Sequence, residues 1–164
     1  MAEILLTQGK VAIVDDADYD WLNQWGWFAH RDRHTFYAVR GVHLAKYRQG
    51  IQSMHRLILG LRRGDKRQCD HRDGNGLNNQ RANLRRCTRA QNQQSRRNLP
   101  LGTSRYKGVC WSNRDRKWRS QIRVNRKWIH LGLFDSEITA ARAYDARAIK
   151  QFGEFALTNK TLEL

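Results

Sequence analysis

Cys69–Asn92, CDHRDGNGLNNQRANLRRCTRAQN, decides how residues 1–99 fold. Asp70 and His71 end a short apolar-flanked segment, and the stretch from Arg72 to Asn79 carries Gly74, Gly76 and four Asn or Asp residues. That composition favours turns and positive φ over regular structure, so it reads as a loop. Leu84 to Cys87 returns as a second short strand. Thr88 with Gln91 three residues later then matches a capping box, which opens a helix through about Arg97 and sets Asn92 in its first turn. The expected order is ββα. A hairpin and a helix folded on each other can bring an acid, an imidazole and an amide oxygen around one ion.

This stretch resembles the HNH endonuclease family, in the subgroup of intron-encoded and phage homing endonucleases whose third signature position is Asn. The likeness covers roughly residues 51 to 99. It implies that Asp70 and Asn92 ligate a divalent ion, that His71 is the general base and that Asn83 orients the imidazole. Hard oxygen ligands suit Mg²⁺ or Mn²⁺, which keep several waters and take few protein carboxylates. A neutral imidazole with an ordinary pKa near ~6.5 can take a proton from an attacking water. A zinc site from Cys69, His71 and Cys87 is not expected, because thiols on adjacent strands more often pack as small apolar residues.

A second module follows a break at Asn98–Ser104, NLPLGTS, which holds the only proline of the chain beside a glycine and reads as a linker. Tyr106–Trp111, Trp118–Asn125 and Trp128–Phe134 alternate or run apolar over strand-like lengths, separated by polar turns. Ser136 then offers an N-cap, and Ile138, Ala141, Ala148 and Phe152 recur at helical spacing until Gly153. The expected order is βββα.

YKGVCW, KWRSQIRV, the run IHLGLFDSEITAARAYDARAIKQFG and the closing LTN resemble the plant ethylene-response-factor (APETALA-type) DNA-binding domain over about residues 104 to 159. The resemblance implies a sheet laid in the major groove, with Cys110, Ser112, Gln121, Arg123, Trp128 and His130 toward DNA. Two arginines of the family's first strand are here Cys110 and Ser112, so the plant recognition sequence does not carry over. Arg123 either bonds a guanine edge in two places or touches phosphate. Trp111 and Trp118 are read as packing between sheet and helix.

Charge is distributed unevenly along the chain. Residues 1–50 hold six Lys or Arg and six Asp or Glu, so the formal net charge of +16 arises after residue 50. The expected partner is double-stranded DNA, with Arg85, Arg89, Arg96 and Arg97 flanking the central stretch as phosphate contacts. In the leader, Ile4–Leu6 and Val11–Val14 suggest a hairpin and Asp18 caps a helix through Trp25. Trp21, Trp25, Trp27 and Phe28 suggest a small core, and His55, beside an apolar run, reads as structural.

The fold class expected is α+β: a β-rich leader plus a ββα-metal nuclease module over 1–99, a linker at 100–104, and a three-stranded antiparallel sheet on one helix over 105–164. The length leaves room for two small modules. Three cysteines without a CxxC pair speak against a disulfide framework. No apolar run is long enough to span a bilayer and no signal pattern is present, so a cytoplasmic protein of a bacterial or phage-infected cell is expected, monomeric, without membrane association or an obligatory protein partner. The leading functional expectation is a metal-dependent homing-type DNA endonuclease, whether nicking or cutting both strands. The alternative is a non-catalytic, sequence-specific DNA-binding regulator on a nuclease-derived scaffold.

Overall fold

The computed structural model describes residues 1–32, 35–45, 48–95 and 103–160. The described chain divides into two compact units, Met1–Asn92 and Gln93–Leu164. The linker positions 100–102, and Arg96 and Arg97, lie outside the described residues.

The first unit opens with an antiparallel pair, β1 (Ala2–Leu5) and β2 (Val11–Val14), joined through a 3-10 turn at Thr7–Gly9. Helix α1 (Asp16–Asn23) follows, and then a three-stranded antiparallel sheet of β3 (Phe28–Asp32), β4 (Thr35–Ala45) and β5 (Arg48–Ser53). Contrary to the expectation from sequence, Asp18 does not cap α1; Asp15 stands at the N-cap and Asp18 lies inside the helix, 2 % exposed. Its burial is offset by partners: Trp21 Nε1 donates to Oδ1 at 3.0 Å, and Arg81 donates to both oxygens at 2.7 Å. Leu22 and Met54 are fully buried in the shared core with Trp27 and Ile58, each large side chain contributing roughly 1.5–3 kcal/mol.

A short helix α2 (Met54–Ile58) leads to the two-stranded pair β6 (Gln68–His71) and β7 (Leu84–Cys87), and then to helix α3 (Arg89–Gln94). The capping box at its start is real: Thr88 N donates to Gln91 Oε1 at 2.8 Å, and Gln91 N donates to Thr88 Oγ1 at 3.3 Å. The Asn-rich loop between β6 and β7 is pinned to β2, because Ile13 N donates to Leu77 O at 2.9 Å and Asn79 N donates to Ile13 O at 2.7 Å. Gly76 makes this possible. A Cβ there would lie 2.4 Å from the Phe36 carbonyl oxygen and 2.6 Å from the Tyr37 ring.

The second unit is a sheet of order β10-β9-β8 covered on one face by a helix. Its strands are β8 (Val109–Ser112), β9 (Lys117–Val124) and β10 (Lys127–Phe134), and the helix is α4 (Glu137–Phe152). Alternation decides the faces: Val109, Ser120 and Ile122 are buried toward Ala140, Ala141, Tyr144 and Ala148 of α4. Trp118 packs into this core and meets Trp111 edge-on at 5.2 Å between ring centres. Gly153, at φ 54°, ends α4. Gly108, at φ +79°, admits the Tyr144 ring so closely that an added Cβ would lie 2.0 Å from it. The C-terminal Asn159, 2 % exposed, ties the ends together: its side chain accepts from Lys107 N at 2.7 Å and donates to Asp145 at 2.9 Å.

Candidate nucleic-acid interface

The β6–β7 pair gathers polar side chains, but it turns them toward one another. Asp70 faces Arg85 in the register, and Arg85 donates to Asp70 Oδ2 from Nε at 2.8 Å and from Nη2 at 2.6 Å. Both side chains are only 10 % exposed. Arg85 is therefore a structural counter-ion and not the expected phosphate contact. Asn92, the other expected metal ligand, donates from Nδ2 to Gln68 Oε1 at 2.7 Å. As these side chains stand they do not fit a divalent cation, since the guanidinium already neutralises the carboxylate and would repel a second positive charge beside it. Among the described residues, no group of three His, Cys, Asp or Glu side chains converges as a metal set.

The expected link from Asn83 to His71 is also corrected. Asn83 serves the loop, donating to Asp73 Oδ1 at 3.0 Å and to Asn78 O at 2.8 Å. The residue that meets the imidazole is Asn79, fully buried, with Oδ1 3.4 Å from His71 Nε2. His55 stands edge-on to His71 at 5.1 Å between ring centres, and Tyr37 completes the cluster at 5.2 Å from His55. Burial, with repulsion from His71 and Arg56, pushes the His55 imidazole down to about 3. Burial also lowers His71, although its contact with Asn79 works the other way. Burial raises the thiols of Cys69 to about 12 and Cys87 to about 11, which leaves both neutral at ordinary pH. Arg89 is exposed at the start of α3.

The second unit arranges its polar residues oppositely. Pairing sets Trp128 beside Arg123, His130 beside Gln121, Cys110 beside Arg119 and Ser112 beside Lys117, on the sheet face turned away from α4. All six positions expected to face DNA (Cys110, Ser112, Gln121, Arg123, Trp128 and His130) thus share one face. None of the three strands contains an Asp or Glu. Trp128 is 62 % exposed, and the Arg123 guanidinium lies 5.8 Å from its ring centre. Arg114 and Arg116 fall in the exposed turn before β9, with Arg116 at φ 50°. The expected set omits Arg119 and Leu133, yet counting back two residues from Gln121 along the strand reaches Arg119 on the same face.

The outer face is thus a three-stranded antiparallel sheet that presents cations, amides and an exposed indole, with a helix behind it. Part of the chain is similar to known proteins. The chain is 43% identical over 60 residues to APETALA2-like protein 2 of rice (Oryza sativa subsp. indica), a match covering 35% of this chain and 14% of that protein. It is 43% identical over 56 residues to the AP2-like ethylene-responsive transcription factor TOE2 of Arabidopsis thaliana, covering 34% of this chain and 12% of that protein. It is 38% identical over 60 residues to the ethylene-responsive transcription factor WRI1 of Arabidopsis thaliana, covering 35% and 14%. The chain thus spans no more than 14% of the length of these relatives. No family model matches it.

These relatives overturn the expectation of an enzyme. They are named transcription factors, which favours a DNA-binding regulator over an HNH endonuclease. They are plant proteins and lend no support to the nuclease, metal-binding and phage readings of the central stretch. Among the described residues, no helix is long and apolar enough to cross a membrane.

Proposed function

We propose that this chain is a non-catalytic, sequence-specific DNA-binding regulator whose uncovered sheet face in the second unit enters the major groove. The single observation that carries this reading is the outer face of three strands that hold no Asp or Glu, on which Arg119, Gln121 and Arg123 of β9 stand between Cys110 and Ser112 of β8 and Trp128 and His130 of β10, with Asp115 and Asp135 at its edge beside Ser112 and Lys117. The major groove, about 12 Å wide, admits a narrow sheet, and amide and guanidinium groups match the donor and acceptor patterns of base edges there. The exposed Arg114, Arg116 and Arg126 lie in the turns at the ends of the strands, where they would meet the phosphates lining the groove.

Two measurements test the reading. The full chain should select a preferred site from a pool of randomised duplexes, with affinity that falls steeply with salt, by about 0.9 logarithmic steps per tenfold rise in salt for each phosphate neutralised. It should also leave supercoiled plasmid intact in Mg²⁺. Nicked or linear product that disappears in His71→Ala would sink the non-catalytic reading, and equal affinity for every duplex would sink its sequence specificity.

A further inference from the structure

We infer that the cross-strand row Cys110, Arg119, Leu133 reads a guanine beside a thymine, with Arg119 on the guanine edge and Leu133 against the thymine methyl group. This rests on the DNA-binding reading above and names the part of the sequence that the face recognises.

The inference begins with what each cation on the central strand is already doing. Lys117 is drawn to Asp135 at 3.2 Å. Arg123 stands 5.8 Å from the Trp128 ring centre and its Nε donates to Arg126 O at 3.5 Å. Arg119 is exposed and, among the described residues, meets no carboxylate, carbonyl or ring; its Nη2 approaches only Cys110 Sγ, at 3.5 Å. It is the guanidinium most available to a ligand on this face.

Place matters as much as availability. Strands lie about 4.8 Å apart, so three of them span roughly 10 Å between outer axes, close to the ~12 Å width of the major groove. The central strand, which carries Arg119, then faces the floor of bases, and the side chains paired with it on the outer strands stand toward the neighbouring base edges. There a planar fork of donors matches guanine, whose O6 and N7 both accept.

The flanks of Arg119 supply the rest. Cys110 on one side is small, and Leu133 on the other is 39 % exposed. Leu133 owes this position to a backbone irregularity. Strict alternation from His130 would turn it inward, but the register shifts between His130 and Gly132, so that Gly132 faces Ser120 and Leu133 faces Arg119 on the outer face. An apolar side chain turned outward beside a free guanidinium complements the one apolar group on the groove floor, the thymine 5-methyl.

The test uses the full chain and the duplex it selects from a randomised pool. Replacing the recognised guanine by 7-deazaguanine removes one acceptor and should weaken the wild type about tenfold, with little effect on Arg119→Ala. Replacing the neighbouring thymine by uracil removes the methyl and should weaken the wild type about threefold, with little effect on Leu133→Ala. Both side chains are exposed, so unchanged melting curves should confirm that both variants fold. Arg119→Ala that stays as sensitive as the wild type to 7-deazaguanine at every guanine overturns the inference while leaving site-specific binding intact. A full chain that selects no site overturns both.

Discussion

Arg85 and Arg123 both sit on short antiparallel strands of a strongly basic chain, and in sequence they invite the same reading. In the first unit Arg85 folds onto Asp70 and is 10 % exposed, while in the second Arg123 stands on an open face beside Trp128. The difference lies in the opposing strand. Opposite Arg85 the register supplies a carboxylate, and opposite Arg123 it supplies an indole. A basic residue is a partner-seeking group only where its own fold gives it no acid, so one unit uses charge for cohesion and the other for presentation.

The largest effect expected from this contrast is on Asp70. Asp70→Ala removes the carboxylate beside a largely buried guanidinium and should cost the first unit about 3–5 kcal/mol. Chemical denaturation should show it, with DNA binding by the intact second unit little changed. Replacing both Asp70 and Arg85 by apolar residues of similar volume should recover most of the loss, and a double variant as unstable as the single one would show that the pair is not the cause.

The next effect tests whether presentation depends on the core behind the sheet. Gly108→Ala forces a side chain into the Tyr144 ring at a positive φ and should destabilise the second unit by about 3 kcal/mol. Because the clash acts on the sheet, affinity for DNA should fall with the melting temperature. A stable Gly108→Ala protein would mean that α4 can shift on the strands.

A smaller and more local change follows from Arg123→Ala, which should leave stability unaltered and weaken binding by about 1–3 kcal/mol. Loss confined to one base pair identifies an edge contact, and a uniform loss with a shallower salt dependence identifies a phosphate contact. Equal affinity for all duplexes before and after the change would break the comparison with Arg85.

The smallest effect near neutral pH comes from the buried histidines, and it grows on acidification. The His55 pKa is depressed to about 3 in the folded state, against about 6.5 for an ordinary histidine, so at intermediate pH the unfolded chain binds a proton that the folded chain does not. Its contribution is present above pH 6.5 and is lost progressively as pH falls from about 6.5 toward about 3. Thermal melts across that window should show a steeper decline for the wild type than for His55→Gln. Parallel curves would remove His55 as the source.

Several of these elements were legible in the chain itself. Alternating or apolar runs mark the strands Val109–Ser112, Lys117–Val124 and Lys127–Phe134, while Gln121 and Arg123 are indicated as face residues by the resemblance to the plant domain, and the register sets both on one face. Thr88 and Gln91 announced the start of α3, and Gly153 the end of α4, because capping and chain reversal use groups a few residues apart. Asp18 misleads for the same reason. An acid near a helix start looks like a cap, and only Arg81, distant in sequence, reveals the buried pair.

Local pattern and charge, then, belong to the sequence: which segments extend, where helices begin and stop, and the excess of Lys and Arg after residue 50. Tertiary structure alone decided which polar groups meet. It set Asn79 rather than Asn83 against His71, gave Asp70 to Arg85, and through one shifted register between His130 and Gly132 turned Leu133 out beside Arg119. Propensity acts over a few residues, whereas partnership depends on register and loop path, and a one-residue slip sends a side chain to the opposite face.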